Sequence, residues 1–281
     1  MTLNLSTFAT IDKTYCIQFM AAKSVKKSKK KKKKQSFGKK ILKWTGRIIL
    51  FLFIFSIAIT ILYRWVNPPI TPLMLIRKVA EGAPMKKEWV DIENISPYLI
   101  ASAIAAEDNR FLGHRGFDMG AIEKAIDERK TGKRKRGAST ISQQTAKNVF
   151  LWPRQSWIRK GLEVYFTALI EVFWSKERIM EVYLNVIEMG NGIYGCEAAS
   201  QTYFKKSAKK LTARQAALIT ACYPNPRKWN PAKPTPYIEN RATKIIELTK
   251  KIGKISFDKE NIQKARERYK QSRSEVKKMK N

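Results

Sequence analysis

The fold is most constrained at residues 96–116, which read SPYLIASAIAAEDNRFLGHRG. Ser96 followed by Pro97 is typical of a helix start, because serine caps the first turn and proline fits the first helical position. The apolar run that follows predicts a buried helix ending at Glu107. A carboxylate at the end of such a helix is partly desolvated, which suits it to proton transfer. The plainer alternative is a solvated acid at a helix terminus.

A second informative stretch, residues 137–148, reads GASTISQQTAKN and follows a glycine-bracketed basic loop at residues 130–137. This composition predicts an exposed, mobile loop, followed by a helix capped by Ser139 or Thr140. Amides such as Gln144 and small hydroxyls suit a hydroxyl-rich sugar, and Lys147 suits a phosphate. A simple capped helix without a ligand would show the same residues.

Three charged residues then share one face of a predicted long helix that Ser156 caps and that runs over residues 157–174. Arg159, Lys160 and Glu163 are three or four positions apart, so they are neighbours on the helix surface. An exposed ion pair is the default interpretation. The rest of this helix is strongly apolar, however, and so narrow a polar face favours a cleft.

The remaining chain predicts a mainly α-helical protein. Helices are expected over residues 71–80, after the cap Asp118 with Ile122, Ala125 and Ile126 facing inward, over residues 175–185, and from Thr212 as the last core helix. Residues 89–92, WVDI, are the only strand-like piece.

Charge and hydropathy predict a membrane anchor. The 281 residues carry a formal net charge of +33, and residues 23–43 form a lysine tract. Such an excess favours a polyanionic partner, either nucleic acid or an anionic membrane. The uncharged residues 48–63 with flanking tryptophans predict a span over residues 44–66. The positive-inside rule places the lysine tract in the cytoplasm and the rest of the chain outside. Met20, just before the tract, is the expected natural start.

Metal and redox chemistry have little support in the sequence. His114 is the single histidine, and Cys16, Cys196 and Cys222 have no metal-ligand or redox spacing. Free, partly buried thiols are the expected state, although pairing of Cys196 with Cys222 stays open.

Five blocks together resemble glycosyltransferase family 51, the enzymes that polymerise peptidoglycan from a lipid-linked disaccharide. The resemblance covers roughly residues 92–231. It is carried, in the family's order, by EDNRFLGHRG (107–116), GASTISQQTAKN (137–148), RKGLE (159–163), SKERIMEVYLN (175–185) and GNGIYGCEAASQTYFKK (190–206). The resemblance implies a lysozyme-like glycosyltransferase domain after a single N-terminal transmembrane helix.

The resemblance also implies roles for individual residues. Glu107 would be the general base, and Glu163 the second catalytic carboxylate, near the donor pyrophosphate. Lys147, Arg159 and Lys160 would neutralise that pyrophosphate. Substrate would be positioned by a further set, namely Asp108, Ser139, Thr140 and Gln144. No cofactor is required, although the family allows a divalent cation such as magnesium near Glu163.

The expected organisation has five parts. They are a cytoplasmic basic segment (1–43), a transmembrane helix (44–66), a membrane-proximal linker (67–90), the glycosyltransferase domain (91–235) and a basic helical tail (236–281). The resemblance implies an inverting, monofunctional enzyme of the cytoplasmic membrane, with its catalytic domain on the outer face. Its partners would be lipid II, the growing glycan strand, membrane lipids and other cell-wall proteins, with no nucleic acid.

Two other functions are also compatible with the sequence. A lytic, lysozyme-like transglycosylase would cleave glycan strands with one acidic glutamate and would leave Lys147 and Arg159 without a role. A membrane-anchored protein could instead use its basic tracts to bind nucleic acid.

Overall fold

A computed structural model of the protein describes residues 37–132 and 137–280. The described chain is mainly helical, with one small sheet, as the sequence predicts. Its helices are α1 (Phe37–Leu62), α2 (Pro72–Glu81), α3 (Pro97–Glu107), α4 (Met119–Lys130), α5 (Ile141–Phe150), α6 (Trp157–Phe173), α7 (Lys176–Val186), α8 (Cys196–Phe204), α9 (Ala213–Ala221), α10 (Pro236–Ile252) and α11 (Lys259–Lys280). Its strands are β1 (Lys86–Lys87), β2 (Glu188–Gly190) and β3 (Ile193–Tyr194).

Contacts divide the chain into two compact units, one ending at Leu52 and the other beginning at Phe53. The division falls inside α1, whose stretch Gly38–Leu62 is long and apolar enough to cross a membrane by length and composition. The helix ends at Leu62, so Trp65 and Val66 of the expected span lie in the turn that follows. Proline cannot continue a helix interior, which accounts for the break before Pro68 and Pro69.

Side-chain caps fix where the helices of the second unit begin. Thr71, Thr140, Ser156, Ser175 and Thr212 each accept a hydrogen bond from a backbone N–H in the first turn of the helix they precede. The sequence predicts these helix starts because such hydroxyl residues satisfy first-turn donors that would otherwise be unpaired.

One expected cap has a different partner. The helix α3 begins at Pro97 as predicted, but Ser96 makes no side-chain bond to its first turn. The Ser96 hydroxyl instead donates to the Leu211 carbonyl at 2.9 Å and ties α3 to the segment before α9.

Two hydrophobic clusters fill the second unit. The larger one surrounds α7 and joins it to α3, α5 and the sheet through large buried side chains such as Phe111, Ile179, Met180, Tyr183 and Tyr194. The smaller one packs α10 against α9, with Ile238, Ala242 and Ile245 facing Leu218 and Cys222. Residues 236–252 of the expected tail therefore belong to the core, and α9 is not the last core helix.

Two further expectations from periodicity are wrong. Residues 89–92 form no strand. The strands lie at Lys86–Lys87 and in the hairpin of residues 188–194, where β3 pairs in parallel with β1 and in antiparallel with β2. The helix α4 begins after Asp118 as predicted but buries none of its residues, and Ile126 is exposed.

Other predictions fall on residues that are not described. Met20, Cys16 and residues 23–36 of the lysine tract precede residue 37, and residues 133–136 of the basic loop lie in the gap between the two described ranges.

Candidate functional site

The acid Glu107 ends α3 at the base of the site. The next residue, Asp108, leaves the helical conformation with φ −162° and ψ 75°. The Gln144 amide on α5 donates a hydrogen bond from Nε2 to Glu107 Oε2 at 2.8 Å, and its Oε1 lies 3.4 Å from the hydroxyl of Tyr183 on α7. Tyr183 is fully buried, and burial raises the pKa of its hydroxyl well above the ordinary value, so it stays a donor. Three helices therefore fix the direction of the Glu107 carboxylate.

The neighbouring acid, Asp108, has its carboxylate engaged within the protein. His114 Nε2 lies 2.9 and 3.0 Å from its two carboxylate oxygens, and the backbone N–H of Ile141 donates to its Oδ2 at 3.0 Å. A carboxylate that accepts from the first turn of a helix is stabilised by the helix dipole. Asp108 thus holds the N-terminus of α5, the helix that carries Gln144 and Lys147.

Lys147 lies one turn beyond Gln144, on the same face of α5. Its half-buried ammonium has a lowered pKa, mainly because burial disfavours the charged form. Arg159 and Lys160 lower that pKa further, whereas Glu163 and Glu107 raise it. Lys147 is therefore near enough to both predicted carboxylates to interact electrostatically with each.

The predicted charged cluster of α6 faces inward. Arg159 and Glu163 are 8% and 3% exposed, and Arg159 Nη1 donates to Glu163 Oε2 at 2.8 Å. Lys160 donates to the other carboxylate oxygen, Oε1. The Arg159 Nε is buried and has no hydrogen-bond acceptor in the described part of the chain. Two cations share this one acid, and Glu163 also influences the pKa of Lys147, so the site has more basic than acidic groups, which suits an anionic group of a ligand.

The outward side of α6 is apolar. Trp157, Ile158 and Val172 are 92%, 75% and 74% exposed. The helix therefore has its polar face buried and its apolar face outside, the reverse of an ordinary surface helix. Two hydrogen bonds attach this region to the part of α1 after Phe53. The Ser56 and Tyr165 hydroxyls lie 2.8 Å apart, and Trp174, which follows α6, donates from Nε1 to the Thr60 carbonyl at 2.7 Å.

The two predicted hydroxyl residues have different surroundings. Thr140 is buried, caps α5 and donates to the Gly116 carbonyl at 2.6 Å, so its hydroxyl is engaged within the protein. Ser139 is exposed. It lines a cavity of about 280 Å³ together with Glu107 and Thr140. Of the two, Ser139 has the hydroxyl that a ligand in this cavity can reach.

The residues present do not form a ready-made divalent-cation site. Both oxygens of Glu163 already accept from Arg159 and Lys160, and no group of three or more potential ligands occurs among the described residues. No catalytic step below depends on a metal.

The cysteines at positions 196 and 222 are free and buried. Burial raises the pKa of each thiol to about 12, so neither is a reactive thiolate at neutral pH.

The sequence does not predict a role in the site for three residues that the structure places near it. Tyr183 orients Gln144, and His114 orients Asp108. Lys176 pairs with Glu171 at 2.7 Å and lies over the Phe111 ring at 4.5 Å. Their positions in the blocks EDNRFLGHRG and SKERIMEVYLN are the sequence signal that could have identified them.

Comparison with known proteins agrees with this arrangement. Residues 74–250 match the sequence profile of the family described as Transglycosylase. The chain is similar to proteins named biosynthetic peptidoglycan transglycosylase. The one from Bdellovibrio bacteriovorus is 54% identical over 209 residues, which cover 73% of this chain and 84% of that protein. The one from Bacteroides thetaiotaomicron is 53% identical over 77% of this chain and 90% of that protein, and the one from Caulobacter vibrioides is 51% identical over 78% and 94%. A match of this extent, over all five sequence blocks and the cluster they build around Glu107 and Lys147, shows that the chain belongs to the transglycosylase family.

Proposed function

We propose that this protein polymerises peptidoglycan glycan strands from lipid II, the undecaprenyl-pyrophosphate-linked disaccharide-peptide, and releases undecaprenyl pyrophosphate. One observation carries the proposal. The helix α5 carries both Gln144, which donates to the predicted base Glu107, and Lys147, whose pKa is influenced by Glu107 and by the buried Arg159–Glu163–Lys160 cluster of α6. A base and an anion-binding cluster in one site are what glycosyl transfer from a pyrophosphate donor requires.

In the proposed reaction, Glu107 removes the proton from the 4-hydroxyl of the acceptor N-acetylglucosamine. The oxygen attacks the anomeric carbon of the donor strand, the bond to the pyrophosphate oxygen breaks, and the linkage changes from α to β. Lys147, Arg159 and Lys160 stabilise the negative charge that develops on the leaving pyrophosphate. A pyrophosphate is already a good leaving group, so neutralising its charge matters more than protonating it.

The supporting residues act by position. Gln144 holds the Glu107 carboxylate at 2.8 Å, and Asp108 holds the helix on which Gln144 and Lys147 lie. Ser139 offers a hydroxyl to substrate at the cavity beside Glu107. Glu163 keeps Arg159 and Lys160 together and limits the repulsion between them.

The apolar helix fits a membrane anchor, and we infer that it lies in the cytoplasmic membrane with the glycosyltransferase domain, residues 91–235, on the outer face. The exposed Trp157, Ile158 and Val172 would then contact lipid, because contiguous apolar surface commonly marks membrane contact. A substrate with a long lipid tail could reach the cationic cluster without leaving the bilayer. Lytic cleavage would leave Lys147 and Arg159 without a role, and binding of nucleic acid would leave the predicted base Glu107 without one.

The test is polymerisation of lipid-linked disaccharide-peptide by the detergent-solubilised full chain. The Glu107→Gln variant keeps the shape and can still accept from Gln144, but it lacks the base, so its turnover should fall by about 10²–10⁴. The matched control is Glu247→Gln, at an exposed glutamate of α10, and it should polymerise normally.

Near-normal turnover of a folded Glu107→Gln protein would refute the assignment of the base. Cleavage of finished peptidoglycan, without polymerisation of the precursor, would instead identify a lytic enzyme.

A further inference from the structure

The C-terminal helix α11 packs closely on the segment that follows Glu107. A side chain at Gly113 would place its Cβ only 2.8 Å from Tyr269 Cβ, so the contact leaves no room for one. The Met119 N–H donates to the Tyr269 hydroxyl at 2.9 Å, and Arg273 pairs with Glu123 at 3.1 Å. The helix lies beyond residue 250, where the family match ends.

Two cavities flank this helix, and they differ in charge. One, of about 500 Å³, has a mixed lining with four acids and three bases, namely Asp118, Glu123, Asp127, Glu128, Arg110, Lys124 and Arg273. The other, of about 430 Å³, is called here the basic cavity. Its lining has no acid and five bases, namely Arg110, Lys251, Lys254, Lys264 and Arg268.

Three of the cations in the basic cavity are available to a ligand. Lys264 pairs with Glu260 at 2.5 Å, and Arg110 lies 3.8 Å from Asp118. Lys251, Lys254 and Arg268 form no ion pair within the described residues. An acid-free surface with three uncompensated cations favours an anionic ligand.

The rest of the lining narrows the chemistry of that ligand. The lining also contains apolar side chains, Leu112 and Ile255 among them, and the amides of Asn109 and Asn261. Amides and small apolar surfaces suit a peptide with short aliphatic side chains, whereas a bare phosphate would need neither. Asn109 and Arg110, which line one part of the basic cavity, follow Glu107 by two and three residues in the sequence.

We propose that the basic cavity binds the carboxylates of the peptide attached to the disaccharide that is being joined to the glycan strand. This inference rests on the proposed function, since that reaction brings such a peptide past Glu107. The cavity would act on substrate affinity and leave the chemical step to Glu107 and the α6 cluster.

The test compares two lipid-linked substrates that differ only in whether the peptide carboxylates are free or amidated. The variant Lys251→Gln/Lys254→Gln/Arg268→Gln should raise KM for the free-carboxylate substrate by about threefold to tenfold, with kcat unchanged, because each exposed ion pair contributes little. Its KM should equal that of the parent protein for the amidated substrate. The control is Lys210→Gln/Lys228→Gln/Lys233→Gln, which removes the same charge at exposed sites outside the cavity and should match the parent on both substrates.

Three results would overturn the proposal. The first is an unchanged KM of the cavity variant on the free-carboxylate substrate. The second is an equal rise on both substrates that disappears when anionic lipid in the micelles is replaced by neutral lipid, which would assign the cavity to lipid phosphate. The third is the same rise in the control variant. A parent protein that polymerises neither substrate would instead refute the proposed function, so the two failures are distinguishable.

Discussion

Replacing Asp108 by alanine tests whether the tie between the two main sequence blocks holds the site together. The Asp108 carboxylate accepts from His114 Nε2 at 2.9 and 3.0 Å and from the Ile141 N–H at 3.0 Å. The side chains of Asp108 and His114 are 3% and 0% exposed, so water cannot replace the lost acceptor without rearrangement. Alanine at 108 leaves two buried donors unpaired.

The expected cost follows from those two donors. Each unsatisfied buried group costs about 1–3 kcal/mol, so the free energy of unfolding should fall by roughly 2–6 kcal/mol. This loss is a large fraction of the free energy of unfolding of a typical domain, which is roughly 5–15 kcal/mol. In a domain of about 200 residues, each kcal/mol corresponds to about 2–4 °C, so the apparent Tm should fall by roughly 4–24 °C. Polymerisation should also decline at temperatures where the variant is folded, because α5 carries Gln144 and Lys147.

The measurement is thermal unfolding of the detergent-solubilised chain, followed by circular dichroism, with polymerisation measured below the transition. The matched control is Asp118→Ala, another buried aspartate at a helix start, which accepts from the Ala121 N–H at 3.0 Å and from the Tyr269 hydroxyl at 3.3 Å. Loss of such a cap costs about 0.5–2 kcal/mol. If Asp108→Ala unfolds at the same temperature as the control variant or higher, the bonds of Asp108 to His114 and Ile141 do not stabilise the site as proposed.

Three further predictions concern the charges of the site. Burial lowers the pKa of Lys147, so its positive charge is lost, as pH rises, at a pH below the ordinary lysine value of 10.5. The alkaline limb of kcat/KM should therefore lie below pH 10.5 and should move to higher pH in Lys147→Arg. A limb that does not move would exclude Lys147 as its cause. Glu163→Gln should lower both turnover and apparent Tm, because the buried Arg159 loses its charged partner, whereas Glu107→Gln should lower turnover alone; equal melting temperatures for the two variants would contradict this. Replacing Lys133, Arg134, Lys135 and Arg136 by serine should weaken binding of the lipid-linked precursor at low salt. The loss of affinity should be smaller at high salt, because charges in solvent are screened over about 10 Å at 0.1 M. Unchanged affinity at low salt would leave the loop as a connector.

The sequence predicts helix starts well because caps are local. A hydroxyl at residues 71, 140, 156, 175 or 212 needs only the N–H groups of the next turn, and the structure has each of these bonds. The failures depend on contacts distant in sequence. The strand lies at Lys86–Lys87 rather than at residues 89–92 because its partner is the hairpin strand β3, about a hundred residues later. In the same way, Ser96 donates to Leu211 and not to its own helix.

The site shows the same division between what is local and what is not. Spacing on one helix places Arg159, Lys160 and Glu163 together, and the structure has both ion pairs. It does not predict that Tyr183 on α7 reaches Gln144 on α5, or that the Asp108 carboxylate pairs with His114, because those contacts are set by tertiary packing.

The helix α6 shows that sequence periodicity does not reveal which face of a helix is buried. A 3.6-residue pattern separates an apolar from a polar face, but it does not identify which side meets the protein. In α6 the polar residues Arg159, Glu163 and Thr167 are buried while Trp157 and Ile158 are exposed. An exposed apolar face of this kind marks a surface that contacts another apolar body, and an adjoining bilayer would supply one. Burial of the charged face is in turn tolerable because the Glu163 carboxylate accepts from both Arg159 and Lys160, so the buried guanidinium is not left without a charged partner. Contact of α6 with a bilayer would therefore account for a helix whose charged side chains are buried and whose apolar side chains are exposed.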